Sequence, residues 1–162
     1  MGRTIPSFRI AVVLEEKRWK QYTKFLNNKN DRKVFENMFS TAMLYCSACS
    51  YSVIPIKIYP IMMSIVFYHY KILYERLDSK NMFFSKEKDN NLNQNNAIIL
   101  KRELEKWKIY CDILRQPNRD LFNQMLQSSY KYSNSIDAKG ENYSTESLLM
   151  SLLLEQYKIL KL

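Results

Sequence analysis

The residues whose types suit metal or thiol chemistry are three cysteines, Cys46, Cys49 and Cys111, and a single histidine, His69. Cys46-Ser47-Ala48-Cys49 has the C-x-x-C spacing of redox and zinc sites. Its flanks read as the end of a helix, and no strand-turn-helix pattern precedes it. Zinc would need Cys111 and His69 as its other two ligands. Residues three apart also share one face of a helix, so the spacing fits two core thiols equally well, and that reading is favoured. One histidine removes imidazole pairs, and its neighbours Phe67, Tyr68 and Tyr70 suit a packed side chain. Glu15, Glu16, Asp31 and Glu36 form no facing carboxylate pair, while Glu103, Glu105 and Asp112 alternate with lysines as on a solvated helix face. Two glycines leave no material for a phosphate-cradling loop. The expectation is a protein that is not an enzyme, with no catalytic residue, metal or cofactor.

Charge is the stronger functional signal. The chain of 162 residues carries 25 Lys+Arg against 16 Asp+Glu, a net +9. Residues 1–80 hold 13 basic and 6 acidic side chains, and residues 81–162 hold 12 and 10. An anionic partner should therefore meet the first half. Arg3, Arg9, Arg18, Lys20, Lys24, Arg32 and Lys33 are the residues expected to touch phosphates of DNA or RNA. Trp19 and Tyr22 are assigned to the scaffold. The rival expectation is a protein-interaction adaptor or a structural subunit of a larger complex, suggested by twelve tyrosines, eight phenylalanines and eight methionines. Exposed aromatics would favour the adaptor, and a continuous bare lysine and arginine face would favour nucleic acid.

These side chains must be positioned by helices. Scarce glycine and proline argue against a sandwich or barrel, and apolar residues recur three, four or seven apart. Ser7 is read as the cap of a first helix through Leu26, Asp31 as the cap of a second, and Pro60 as the opening of a third that ends near Leu77. Residues 51–59 read as an extended connector. Residues 79–96 form a polar linker or exposed loop. The pattern then starts again near Ala97, with helices to about Leu114, from Arg119 to Tyr132 and from Ser144 or Thr145, and a connector between the last two.

Laying residues 10–30 on 98–118 and 32–73 on 119–160 gives 63 pairs, 17 of them identical, where chance would give about four or five. Trp19 pairs with Trp107, Arg32 with Arg119 and Phe35 with Phe122. Tyr70-Lys71-Ile72-Leu73 recurs as Tyr157-Lys158-Ile159-Leu160. The expected fold is all-α: two similar three-helix units, residues 1–78 and 97–162, packed as a pseudo-twofold bundle around separate cores or a shared one. Each tryptophan should anchor the core of its unit. The chain is expected as a monomer with internal pseudo-symmetry or as a homo-dimer.

The apolar stretch Phe8–Leu14 is interrupted by Arg9 and followed by charges, unlike an export signal. Ile58–Tyr70 is too short to span a bilayer. A cytoplasmic protein with reduced thiols and no membrane contact is the expectation. The opening Met1-Gly2-Arg3-Thr4-Ile5-Pro6-Ser7-Phe8-Arg9, followed by the tryptophan-containing basic helix and Asp31-Arg32 before Phe35, resembles a family of small uncharacterised archaeal proteins that begin with Gly-Arg-Thr-x-Pro. The resemblance covers about residues 1–75 and more faintly the second copy. It implies a cytoplasmic helical protein and carries no catalytic residues.

Overall fold

A computed structural model describes residues 7–26, 28–78 and 97–161, all of whose regular structure is helical. The first half holds α1 (Phe8–Arg18), α2 (Lys20–Lys24), α3 (Lys29–Met43), α4 (Cys46–Tyr51) and α5 (Ile58–Asp78). The second holds α6 (Ile98–Ile113), α7 (Asn118–Ser128), α8 (Ser133–Lys139) and α9 (Ser144–Leu160), with 3-10 turns at Ser129–Tyr132 and Glu141–Tyr143.

The all-α expectation holds, while the local reading needs three corrections. The first helix breaks at Trp19, whose N–H is shared between the carbonyls of Glu15 and Glu16. Asn28, not Asp31, caps α3, its side chain accepting from the Asn30 N–H at 2.9 Å. The second expected connector contains a short helix, α8, and the expected second helix breaks before Cys46, so that α4 stands apart from α3 ahead of residues 51–59. Each short helix buries one side, through Cys46, Ala48 and Cys49 in α4 and through Ser133 and Ile136 in α8. Ser7 stands where a cap was expected, but its carbonyl makes the contacts, accepting from Ile10 and Ala11.

α5 is the central helix. Ile61, Met63, Ile65, Val66, Phe67 and Tyr70 are buried on several of its sides, as an apolar helix without a solvent face requires. It packs against α3 of its own half and α9 of the other, while α4 packs on α6. The rings of Phe67 and Phe122 meet edge-to-face at 5.1 Å, and Tyr110 stacks on Phe122 at 4.9 Å. Polar bonds also cross between the halves. Gln156 Nε2 donates to the Val66 carbonyl at 2.8 Å, and Ser64 Oγ and Tyr110 Oη lie 2.9 Å apart. One core therefore runs from Phe8 to Ile159.

Several features recur at a spacing of 87 residues. α4 begins at Cys46 and α8 at Ser133. The turn after each places one residue at positive φ, Val53 at 53° and Gly140 at 92°. Arg32 Nε donates to the carbonyl of Leu26 at 2.9 Å and Nη2 to that of Lys24 at 3.3 Å. Arg119 does the same to Leu114 at 3.1 Å and Asp112 at 2.5 Å. Each guanidinium satisfies carbonyls that the end of a helix leaves without partners.

Candidate nucleic-acid interface

α1 and α2 run up to the Asn28 turn and α3 returns from it, so the lysines flanking this turn lie on neighbouring helices. Lys20, Lys24, Lys29 and Lys33 are all exposed there. None of them has an ion-pair partner among the described residues. Beside them stands a ladder of rings. Trp19 and Tyr22 meet edge-to-face at 5.9 Å, Tyr22 and Phe35 lie 5.2 Å apart, and Phe35 and Phe39 5.5 Å apart. Phe39 is buried in the core, whereas Trp19 is 41% and Tyr22 51% exposed. Phe25, at the end of α2, is 84% exposed. The ladder is thus held at its inner end and open at its outer end, and the four exposed lysines stand on the same two helices, α2 and α3.

Of the residues expected at phosphates, Lys20, Lys24 and Lys33 stand at this site. Arg3 lies outside the described residues. Arg9 is exposed at the other end of α1, close enough to Cys46 for its charge to act on that thiol. Arg18 pairs with Glu15 on its own helix. Arg32 is occupied with the carbonyls of Lys24 and Leu26. The site is therefore narrower than the sequence expectation, and Lys29 belongs to it. Trp19 and Tyr22 are corrected from scaffold to surface. The signal that would have revealed this lies at the start of the third long helix, where the first half has Lys57 and Ile58 and the second has Ser144 and Thr145.

In the second half that difference builds a buried carboxylate network. Glu103, 1% exposed, accepts from Trp107 Nε1 at 3.1 Å and Thr145 Oγ1 at 2.7 Å through one oxygen. Its other oxygen accepts from Lys106 Nζ at 2.7 Å and Ser144 Oγ at 2.6 Å. Burial alone would raise its pKa, but the bonds from Lys106, Ser144 and Thr145 outweigh it and hold the carboxyl below the ordinary range. Trp107 is fully buried on this network, as a core anchor should be. In the first half, beside the aligned Glu15, Arg18 and Trp19, the positions of Ser144 and Thr145 are taken by Lys57 and Ile58, which carry no hydroxyl.

The cysteines do not converge. Cys46 Sγ faces the Ala42 carbonyl, Cys49 Sγ lies 3.1 Å from Ser64 Oγ, and Cys111 Sγ lies 3.1 Å from Asn123 Oδ1. Burial pushes the Cys49 thiol up to about 12 and raises the other two, which keeps them protonated and poor as ligands or nucleophiles. Burial lowers the His69 pKa. No group of three or more metal-ligating side chains forms among the described residues. No described helix is long and apolar enough to cross a membrane.

The model of a domain of unknown function (DUF8156) matches residues 1–98, more than half of the chain. The chain belongs to the DUF8156 family. The matched stretch contains α1 to α5 complete, and with them the lysines and rings at the Asn28 turn. All of α6 to α9 beyond Ile98 lies after the DUF8156 match. No curated protein and no solved structure matches this DUF8156 chain.

Proposed function

We propose that this DUF8156 protein is a non-enzymatic accessory protein that associates with single-stranded nucleic acid through its first half. The observation that carries the reading is the open ring ladder of Trp19 and Tyr22 on the same pair of helices, α2 and α3, that carries the exposed Lys20, Lys24, Lys29 and Lys33. Single-strand binders combine just these parts: rings on which bases stack, regardless of sequence, and cations that follow the backbone. Aromatics alone would have favoured a protein partner. Their mixture with unpaired lysines favours a ligand that offers both flat bases and phosphates.

The architecture supporting this reading is a tandem duplication in which one copy has become scaffold. Its support is the shared element order, the matched Arg32 and Arg119 caps, and the bond that Tyr59 donates to Glu146, residues at aligned positions of the two halves. A contact between equivalent positions is what a twofold relation produces.

Fluorescence anisotropy with labelled single- and double-stranded DNA and RNA, across a salt series, tests the function. Micromolar binding to single strands that weakens steeply with salt is expected. Reversing Lys20, Lys24, Lys29 and Lys33 to glutamate should abolish it with helicity unchanged. Absence of binding at low salt, or binding indifferent to the four reversals, would contradict the reading.

A further inference from the structure

α9 carries a second open surface of a different character. Glu146, Met150, Leu153, Leu154, Tyr157, Leu160 and Lys161 fall within an arc of roughly 120° on this helix. Met150, Leu153, Leu154, Tyr157 and Leu160 are all exposed. The aligned residues of α5 are Met63, Val66, Phe67, Tyr70 and Leu73, of which the first four are buried beneath the rest of the chain. The same stripe is thus covered by the protein itself on one helix and left open on the other. It also adjoins the packed α5–α9 contact, so an occupant would extend an existing layer of helices.

The charges on the stripe identify what fits it. Its apolar centre is flanked by one acid, Glu146, near the start of α9 and one base, Lys161, just past its end. Lys158, at the edge, is bonded to Tyr132, and Glu146 accepts from Tyr59 through Oε1, so it would meet a partner cation through its other oxygen. Turning a second α9 antiparallel about the midpoint of Leu153 and Leu154 brings Glu146 opposite Lys161, Met150 opposite Tyr157, and Leu153 opposite Leu154. Met150, Leu153, Leu154 and Tyr157 then meet apolar residues, Leu160 meets the small Ser147, and each charge meets its opposite. A parallel pairing would set Glu146 against Glu146 and Lys161 against Lys161.

We propose that the open face of α9 is a homodimer interface in which two copies of this chain pair antiparallel about a twofold axis between Leu153 and Leu154. One helix stripe per partner is small, at the weak end of protein interfaces, so the dimer should dissociate on dilution. The arrangement is isologous and closes at two copies.

Sedimentation velocity on the full chain over a wide concentration range tests this. A monomer–dimer equilibrium is expected. Leu153→Glu should weaken it at least about tenfold, and Lys161→Glu, which places acid against Glu146, should weaken it by less, both with an unchanged circular dichroism spectrum. Mixing Met150→Cys with Tyr157→Cys under mild oxidation should give disulfide-linked heterodimers in excess of either linked homodimer. A monomer at every concentration, a larger oligomer, a dimer indifferent to both charged variants, or an excess of linked homodimers would each overturn the proposal.

Discussion

Trp19 and Trp107 occupy aligned positions, each four residues after a glutamate and one after a basic residue, yet one lies at the surface and the other at the centre of the molecule. The difference comes from a third element. Ser144 and Thr145 at the start of α9 give Glu103 two hydroxyl donors, and the carboxylate so fixed accepts the Trp107 indole N–H. At the start of α5 the aligned residues are Lys57 and Ile58. Lys57 bonds instead to the Ile54 carbonyl, and Glu15 is left with Arg18. The first helix breaks at Trp19, and its rings stay open beside lysines. The two halves therefore share sequence landmarks, while only the second packs its tryptophan in the core.

The largest test of that contrast is the pair of tryptophan truncations. Trp107→Ala should cost about 3–5 kcal/mol, lowering the melting temperature by roughly 10 °C or more for a chain of this size. Trp19→Ala should cost under about 1 kcal/mol. Equal losses in thermal melts followed by circular dichroism would remove the contrast. The carboxylates come next. Glu103→Gln should destabilise by about 2–3 kcal/mol, because it disturbs a buried, charge-assisted network, while Glu15→Gln should stay within about 0.5 kcal/mol. Since the folded pKa of Glu103 is depressed, its contribution is complete above the ordinary carboxylate range and is lost as pH falls through the folded value. Melts at pH 7 and at pH 3 should therefore separate wild type from Glu103→Gln less at the lower pH.

A smaller effect, on binding rather than stability, is expected for Tyr22→Ala. Losing one stacking ring should weaken single-strand affinity about tenfold, while Tyr110→Phe at the aligned buried position should leave affinity unchanged. The smallest concerns the shared turn. Val53 is a branched residue at φ 53° and 78% exposed, so it bears backbone strain without packing in return. Val53→Gly should stabilise by about 1 kcal/mol, and Gly140→Val, at a φ of 92° and ψ of 164° that only glycine adopts readily, should destabilise by about 1–3 kcal/mol. A destabilised Val53→Gly would show that the two turns are not equivalent.

Much of the frame was legible in the sequence because helix periodicity and repeated identities are local signals. The long helices, the start of α9 at Ser144 and the placing of positive charge near the first helix follow from spacing and counting. The short helix α8 did not, since Ser133–Lys139 is a poor helix former whose conformation is set by the packing around it. Arg32 binds the carbonyls of Lys24 and Leu26, a role needed in both halves to which its identity with Arg119 already points. The exposure of Trp19 runs the other way: identity with Trp107 suggested one role, and the deciding residues, Lys57 and Ile58, lie about forty positions away. Such placements depend on contacts between distant elements, which no local pattern carries.

The central claim is that Trp19 is a ligand-facing ring while Trp107 is structural, and intrinsic tryptophan fluorescence addresses it most directly. An unlabelled single-stranded oligonucleotide is titrated at low salt into wild type and into Trp19→Phe. Saturable quenching in wild type that disappears in Trp19→Phe, where the Trp107 signal persists unchanged, is the expected result. No quenching in wild type, or quenching that survives in Trp19→Phe, would contradict the account.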